Sequence, residues 1–208
     1  MKKASRATTR SVSQPSRKFG ADYFRKFYRD PATRVVTPGE MRGRATLIAA
    51  LLAHLQIPIR SILDAGCGIG LLRRPFAQVL PRASYTGLEL SEYLCRRYGW
   101  LEGSIATFAP RKPFDLLVCY DVLQYLDDSQ AARAIRNMAR LTRYAVYVSA
   151  LTREDWLENC DRRLTDRAVH LRSGAWYRRR LGREFHYVGF GVWLRKGVVA
   201  ILWDMERG

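Results

Sequence analysis

The sequence predicts an α/β fold with a mostly parallel, doubly wound sheet, helices on both faces and an antiparallel hairpin at the C-terminal end. Short apolar runs typical of buried strands alternate with segments that carry helix caps and helical periodicity, which is the pattern of parallel strands joined by crossover helices. The last two apolar runs follow each other directly, so we expect them to pair as a hairpin. The chain of 208 residues is long enough for one core, and we expect one domain over residues 19–208.

The N-terminal part contains a polar basic segment, an aromatic segment and a helix. Residues 1–18 have hardly any large apolar side chain, so we expect a disordered basic tail. After Phe19, four aromatic residues at helical spacing predict an amphipathic segment that docks on the body of the domain: Tyr23, Phe24, Phe27 and Tyr28. Thr37–Glu40 is a capping box with proline at the first helical position, which predicts a helix ending near Gln56.

A glycine-rich turn follows the first predicted strand, Ser61–Ala65. The acid Asp64 precedes three glycines at alternate positions: Gly66, Gly68 and Gly70. Glycine accepts a positive φ and leaves room for a ligand beside the backbone, so we predict a ligand-binding turn. A helix over Leu71–Leu80 should point its positive N-terminal end at the same crevice.

Strands and helices continue to alternate after this turn. We expect a second strand at Ala83–Leu88 that ends in Glu89, and a helix from Ser91 to about Tyr98. A weak third strand is predicted at Ile105–Phe108. The fourth strand is expected within Phe114–Leu126, where it runs into a polar turn.

The C-terminal part completes the predicted sheet. Asp127 or Asp128 should cap a helix that reaches Leu141, and Tyr144–Ala150 should form the fifth strand. Thr152–Leu171 is polar and has no clean period, so residues 152–182 are the expected insert or lid region, including a helix over Gly174–Leu181 that Ser173 caps. The hairpin is predicted to pair Phe185–Leu194 with Val198–Trp203 around the turn at 195–197.

The three strand ends resemble the motifs of the class I S-adenosylmethionine-dependent methyltransferases. The usual forms in that family are VLDxGCGxG, a second strand ending in Asp or Glu, and FDxVxxxxVLxHL; here Ser61–Gly70, Glu89 and Phe114–Leu126 occur in the same order. A glycine-rich turn alone also fits nicotinamide or flavin binding, so the order of the three motifs favours the methyltransferases. The resemblance covers about residues 61–151. It implies a seven-stranded sheet, S-adenosylmethionine as the cofactor and methyl transfer as the activity.

The resemblance also assigns roles to cofactor-binding residues. The turn residues are expected to lie against the methionine and ribose portions: Gly66, Cys67, Gly68 and Gly70. Asp64 would organise the turn or meet the amino group, Glu89 would accept hydrogen bonds from both ribose hydroxyls, and Tyr120 would flank the methionine portion. Ser104 stands where the family usually has an acid that contacts adenine, and the neighbouring Ile105 can pack on the adenine ring.

Candidate acceptor-site residues are drawn from several segments. Asp121 and Gln124 follow the fourth strand on the side that faces substrate in the family, and Gln124 takes a position often held by His. The candidate catalytic residues are Asp121, His170 and His186. The candidate substrate contacts, several of which can instead belong to the core, are Tyr28, Gln124, Trp176 and Tyr177.

The amino-acid composition limits the expected cellular location of the protein and the kinds of partner that it can bind. The net charge of +17 is concentrated in residues 1–29 and between Arg162 and Arg183, including Arg178–Arg180, which fits either solvated basic faces or a surface that binds nucleic acid. The four cysteines form no CxxC pair, so we expect neither a metal site nor a disulfide framework. No apolar run approaches the ~20 residues that span a bilayer. We expect a cytoplasmic protein, although the basic tail also fits a transit peptide.

Three acceptor classes remain open from the sequence. We expect a small-molecule acceptor, methylated on O or N, because a compact domain with a short insert offers a pocket more readily than an extended groove. The alternatives are methylation of RNA or of a ribosomal or other protein through the basic segments, and S-adenosylmethionine binding without catalysis. No DPPY-like tetrad stands at Cys119–Val122 and no Pro-Cys dipeptide occurs, which disfavours the usual routes to methylated adenine and cytosine in DNA.

Overall fold

The computed structural model describes residues 19–201 and residue 203. Its strands are β1 Ser61–Ala65, β2 Ser84–Glu89, β3 Leu101–Glu102, β4 Phe114–Tyr120, β5 Thr142–Ser149, β6 Phe185–Gly189 and β7 Val192–Arg195. They form one seven-stranded sheet in the order β3-β2-β1-β4-β5-β7-β6. β1 to β5 are parallel, whereas β7 runs antiparallel to both β5 and β6, which confirms the predicted sheet.

Helices cover both faces of this sheet. The α-helices are α1 Ala21–Phe24, α2 Pro38–His54, α3 Arg73–Val79, α4 Glu92–Tyr98, α5 Asp128–Leu141, α6 Arg153–Glu158 and α7 Gly174–Leu181. A π-helical turn, Arg25–Arg29, extends α1, and a 3-10 turn, Leu123–Tyr125, follows β4. On one face, Ile48 of α2 and Phe76 of α3 belong to a buried cluster with Ile62 of β1. The opposite cluster joins α5 and α7 to β1, β4 and β5.

The predicted caps fix the starts of the helices. Thr37 and Glu40 form the capping box of α2, and Asp127 caps α5 in a second box with Gln130. Ser91 and Ser173 accept hydrogen bonds from backbone N–H groups in the first turns of α4 and α7. Each cap pairs backbone donors that helix geometry leaves without partners, so these boundaries follow from local sequence.

The predicted third strand is wrong in position. β3 is Leu101–Glu102, which pairs with Leu88 and Glu89 of β2, whereas residues 105–108 form a turn. The N–H groups of Thr107 and Phe108 donate to the Ser104 carbonyl at 3.0 and 2.8 Å. Apolar residues occur in this turn because Ile105 and Ala106 are buried in the core, not because they pair in the sheet.

The predicted hairpin pairs the wrong segments. Its turn lies at Gly189–Gly191, inside the segment predicted as one strand, and residues 198–201 are not a strand. Gly189, Phe190 and Gly191 have φ values of +115°, +48° and +82°. Three consecutive positive φ values cannot continue a strand, so the chain reverses there and β6 pairs with β7.

The expected insert or lid begins with a short helix. Thr152 and Asp155 form the capping box of α6, and Thr152 makes an isolated parallel bridge with Arg172. We call residues 159–171 the lid segment. The assignment of residues 152–182 as an insert stays a prediction, and the expected disordered tail of residues 1–18 lies outside the described residues. Within residues 19–201 and 203, no helix is both long and apolar enough to cross a bilayer.

Candidate active site

The turns at the carboxyl ends of β1 to β4 enclose a cavity of about 320 Å³, which we call the first cavity. Parallel strands place these ends at one edge of the sheet, so residues distant in sequence meet there. The aromatic segment, residues 19–28, also contributes to the lining. Representative lining residues from the contributing segments are Phe24, Gly68, Glu89, Ser104, Ile105 and Val122.

Gly66 and Gly68 both have positive φ values, +74° and +54°, but they face different neighbours. A Cβ atom on Gly66 would lie 2.2 Å from Val122 Cγ2, so the missing side chain lets the turns after β1 and β4 approach each other. A Cβ atom on Gly68 would stay 3.9 Å from Tyr28, and Gly68 lines the first cavity. Gly68 therefore leaves its backbone accessible to a ligand.

Gly70, by contrast, packs against the ring of Trp100, for which the sequence pattern predicts no role at the site. A Cβ atom on Gly70 would lie 2.6 Å from the Trp100 ring, as would one on Gly87. The Trp100 indole N–H donates to the Gly68 carbonyl at 3.0 Å. The structure thus places Gly70 against Trp100, and Gly70 is not among the residues that line the first cavity, so its role as a cofactor contact stays a prediction. The thiol of Cys67 would lie 2.7 Å from a Cβ atom on Gly87.

Glu89 is buried, 7% exposed, at the end of β2. Its Oε2 accepts a hydrogen bond from the Gly68 N–H at 2.8 Å, and its Oε1 accepts from the N–H groups of Leu90 and Ser91 at 2.8 and 3.0 Å. Three backbone donors orient the carboxylate, and carboxylate oxygens can accept further hydrogen bonds. Glu89 lines the first cavity and is therefore placed to receive hydroxyl donors from a ligand.

Asp64 is 3% exposed and accepts a hydrogen bond from the Tyr85 hydroxyl. Burial raises the pKa of Asp64 to about 7; the Tyr85 hydrogen bond acts in the opposite direction, and the charge of Glu89 raises the pKa further. Asp64 lines a small cleft of about 30 Å³ together with Cys67, Tyr28 and Tyr120. A positive group in this cleft would stabilise the ionised form of Asp64. Burial also raises the pKa of the Cys67 thiol well above its usual range.

The last residue of β4 and the turn after it present Tyr120, Asp121 and Gln124. The Arg44 guanidinium lies 3.9 Å from the centroid of the Tyr120 ring. Asp121 has a positive φ of +55°, and its N–H donates to the Ser149 carbonyl at 2.9 Å. The Gln124 side-chain amide donates to Asp121 Oδ1 at 3.2 Å, and burial raises the pKa of Asp121.

A second cavity, of about 190 Å³, adjoins the first. Both cavities are lined by Tyr23, Tyr28, Asp121 and Tyr125. Gln124 lines only the second, as do Cys160, Thr165, Asp166 and Val169 of the lid segment. The hydroxyls of Tyr23 and Tyr125 lie 2.9 Å apart. The two cavities therefore meet at Asp121 and three tyrosines.

Four predicted acceptor-site residues lie outside both cavities. His186 is exposed on β6, the outer strand at the far edge of the sheet from β2 and β3. His170 is exposed, and its backbone N–H donates to the Gln124 carbonyl at 2.7 Å. Trp176 packs between Arg180 and Arg172, whose guanidinium carbons lie 3.6 and 4.9 Å from its ring centroid. Tyr177 is 6% exposed and belongs to the core, the alternative role considered for it.

Arg172 was also absent from the predicted site. Its buried guanidinium donates to Asp128 Oδ1 at 2.7 Å and to the carbonyls of Leu123 and Leu126 at 3.0 and 2.5 Å. These contacts hold the end of the lid segment against the turn that carries Gln124. Nothing in the pattern around Arg172 distinguishes it from the many exposed arginines nearby. Within residues 19–201 and 203, no group of three or more His, Cys, Asp or Glu side chains is arranged to hold a metal ion.

Comparisons with known proteins relate this chain to methyltransferases. Residues 63–144 match a family described as a methyltransferase domain, whereas no curated protein matches the sequence significantly. The Synechocystis magnesium protoporphyrin IX methyltransferase with bound S-adenosylmethionine aligns with a TM-score of 0.58 and 19% identity, over 91% of this chain and 100% of that chain. DesVI from Streptomyces venezuelae aligns with a TM-score of 0.57 and 16% identity, over 75% and 91%. The plantazolicin methyltransferase BpumL, in complex with a pentazolic desmethylPZN analogue and S-adenosylhomocysteine, aligns with a TM-score of 0.59 and 15% identity, over 80% and 68%.

The matched segment contains the residues that build the first cavity from the ends of β1, β2 and β4. These structural neighbours share the fold with this chain. Residues 63–144 therefore match a methyltransferase domain, and the chain shares the fold of the methyltransferase structures with which it aligns.

Proposed function

We propose that this protein transfers a methyl group from S-adenosylmethionine to a small-molecule acceptor, with the donor in the first cavity and the acceptor in the second. The observation that carries the proposal is that the two cavities meet at Asp121 and at three tyrosines. A methyl donor and an acceptor must lie next to each other for in-line transfer, and two adjoining cavities supply that arrangement.

The described residues fit the donor. The Glu89 carboxylate, oriented by backbone N–H groups, can accept hydrogen bonds from both ribose hydroxyls, and the open backbone of Gly68 can lie beside the ligand. Asp64 can receive the amino group, because the charge of that group would favour the ionised carboxylate. Ser104 and Ile105 line the first cavity, where they can contact the adenine.

The chain has a limited chemical role once both ligands are bound. The donor supplies a methyl group on a positively charged sulfur, so no nucleophile from the protein is needed. Alignment of the reacting groups can then account for about 7–11 kcal/mol of the acceleration. Asp121 is the candidate base, because it lines both cavities and its raised pKa favours proton uptake. Gln124 is a positioning residue that holds the Asp121 carboxylate.

The shape of the second cavity favours a small acceptor over a polymer. The aromatic segment and the lid segment both contribute to its lining, so the space is a pocket and not a long groove. The structural neighbours include enzymes named for magnesium protoporphyrin IX and plantazolicin.

A macromolecular acceptor is supported by a different observation. Arg178, Arg179 and Arg180 occupy consecutive positions on α7, and the first two are exposed. Arg180 instead stacks on Trp176, and none of the three lines the first or second cavity. A phosphate-binding role for these arginines would produce affinity that falls steeply with salt.

Labelled transfer tests the two proposals against each other. The purified protein is incubated with radiolabelled S-adenosylmethionine and an extract of its source cells, and the products are separated into small molecules, RNA and protein. We expect label in the small molecules, lost in the Asp121→Asn variant and retained in an Arg178→Ala/Arg179→Ala variant. Label in RNA or protein that is lost in the arginine variant would contradict the small-molecule proposal.

A further inference from the structure

The indole ring of Trp100 lies against both β2 and the glycine-rich turn after β1. A Cβ atom on Gly70 would lie 2.6 Å from Trp100 Cζ2, and one on Gly87 would lie 2.6 Å from Trp100 Cε3. A glycine inside a strand often marks the close approach of another group, and at Gly87 that group is the indole. The ring therefore occupies space that side chains at these two positions would need.

Gly68 is held by hydrogen bonds on both sides of its Cα atom. Its N–H donates to Glu89 Oε2 at 2.8 Å, and its carbonyl accepts from Trp100 Nε1–H at 3.0 Å. The N–H belongs to the peptide group before Gly68, and the carbonyl belongs to the peptide group after it. Glu89 therefore orients the first of these peptide groups, and Trp100 orients the second.

We propose that Trp100 is a positioning residue of the donor site, whose indole N–H holds the peptide group between Gly68 and Ile69 in the orientation that binds the donor. This inference rests on the proposed function, since it takes the first cavity as the donor site. It goes beyond that function because Trp100 is not among the residues that line the first cavity. Donor affinity would then depend on a side chain that acts through the backbone.

The backbone freedom of Gly68 gives this hydrogen bond its importance. Gly68 has a φ of +54° and lines the first cavity. Glycine can adopt more backbone conformations than other residues, so the peptide group after Gly68 has alternative orientations once the indole N–H is removed. When only a fraction of the molecules holds the binding orientation, the apparent Kd rises by the reciprocal of that fraction. The hydrogen bond from Trp100 should therefore raise donor affinity.

Several neighbours hold the indole itself. The Tyr98 ring at the end of α4 stacks on it at a centroid distance of 5.9 Å, and the Tyr85 ring of β2 lies 6.1 Å away. The Arg73 guanidinium, at the start of α3, lies 5.6 Å from the centroid of the Trp100 ring. Arg29 donates to the Tyr98 hydroxyl at 2.6 Å. Because three elements of the fold contact the ring, its N–H is a well-placed donor to the glycine-rich turn.

Tryptophan analogues at position 100 test the N–H by itself. Trp100→Phe would also leave space beside Gly70 and Gly87, so two analogues of similar shape are used instead. Benzothienylalanine has sulfur in place of the N–H, whereas 7-azatryptophan keeps the N–H. Calorimetry on the full chain measures the Kd for S-adenosylhomocysteine. We expect benzothienylalanine to raise this Kd at least threefold, the effect of about one neutral hydrogen bond, and 7-azatryptophan to leave it within twofold.

Benzothienylalanine in place of Trp176 is the matched control, because Trp176 lies outside both cavities. It should leave the Kd within twofold. Urea unfolding of each protein checks that the substituted chains are folded.

The wild-type protein provides a second measurement that needs no variant. Nuclear magnetic resonance of the isotope-labelled chain follows the indole N–H of Trp100 during titration with S-adenosylhomocysteine. Its acceptor carbonyl belongs to a residue that lines the first cavity, so we expect its resonance to shift and its exchange with solvent to slow. The indole N–H of Trp176 should change less.

The possible outcomes separate this inference from the proposed function. The inference would be overturned if benzothienylalanine raised the Kd less than threefold, or if both analogues raised it equally. A Trp100 resonance that stays unchanged while the backbone N–H of Gly68 shifts would also overturn it. A wild-type protein that fails to bind S-adenosylhomocysteine would instead contradict the proposed function.

Discussion

Asp121 shows how much of the site depends on single residues. It has a positive φ of +55°, a conformation that aspartate adopts more readily than most residues. Its N–H is hydrogen-bonded to Ser149 on β5, and its carboxylate is held by Gln124. This backbone conformation directs the chain away from β4, so that one residue can line both cavities.

Glu89 should control donor affinity. Glu89→Gln keeps the shape of the side chain, but its single amide oxygen can replace only one of the two carboxylate oxygens that accept from backbone N–H groups, and the charge that would attract the ribose hydroxyls is lost. Hydrogen bonds to charged groups contribute about 1.5–3 kcal/mol each, so we expect the Kd for S-adenosylhomocysteine to rise at least tenfold. Calorimetry measures the change, and Glu102→Gln on exposed β3 is the control. An unchanged Kd in a folded Glu89→Gln protein would remove Glu89 from the donor site.

Asp64 should make stability depend on pH. Burial raises its pKa to about 7, so between about pH 4 and 7 the folded chain holds a proton that the unfolded chain has lost. The contribution of Asp64 to the free energy of unfolding therefore falls as the pH rises from about 4 to 7, by at most about 1.4 kcal/mol per pH unit. Above about pH 7 this contribution no longer changes with pH.

Urea unfolding at pH 5, 6, 7 and 8 measures this effect in the wild-type protein and in Asp64→Asn. The amide cannot ionise but can still accept the Tyr85 hydrogen bond, so the stability of wild type relative to the variant should decline from pH 5 to 7. A constant difference across the four pH values would mean that Asp64 is not the titrating group.

At the scale of elements, the turn after β1 depends on packing as well as on backbone freedom. Gly70 and Gly99 have nearly the same φ, +77° and +72°, but only Gly70 faces a neighbouring ring. Gly99→Ala should cost about 1 kcal/mol from backbone strain alone. Gly70→Ala should cost distinctly more, because the new Cβ would lie 2.6 Å from Trp100. Chemical denaturation of both variants tests this expectation; equal losses would show that Trp100 moves freely.

Local chemistry explains which elements could be predicted from the sequence. The capped helices and β1, β2 and β4 were predicted close to their observed positions, because caps, apolar runs and strand-end glycines act within a few residues. β3 and the hairpin were misplaced, since burial in a turn gives Ile105 and Ala106 the same apolar pattern as a strand. The position of Glu89 at the end of β2 could be predicted because the apolar run of that strand directly precedes it. Arg172 and Trp100 could not be predicted, because their partners are distant in sequence.

At the scale of the whole molecule, the aromatic segment joins the N-terminal part of the described chain to the site. Phe24 and Tyr28 line the first cavity, and the Phe19 carbonyl accepts a hydrogen bond from Ser91 Oγ at 2.6 Å. The same segment lines the second cavity through Tyr23 and Phe27. Ligands can therefore be enclosed only when this segment is docked.

Donor binding should protect the aromatic segment from proteolysis. A ligand that contacts Phe24 and Tyr28 stabilises the docked segment by mass action. We expect saturating S-adenosylhomocysteine to slow trypsin cleavage after Arg25, Lys26 and Arg29 at least fivefold, as followed by mass spectrometry. Cleavage after exposed Arg179 on α7 is the internal reference and should slow less. The same slowing at both places would indicate global stabilisation without local closure.

The contact between Tyr23 and Tyr125 spans 102 residues of chain, which sets an order of events during synthesis. Ribosomes add about 5–20 residues per second, so Tyr125 is made about 5–20 s after Tyr23. Until then the aromatic rings of the segment lack one of their native partners and remain available to chaperones. A nascent chain thus completes β1, β2 and the glycine-rich turn well before it can close a cavity around the donor.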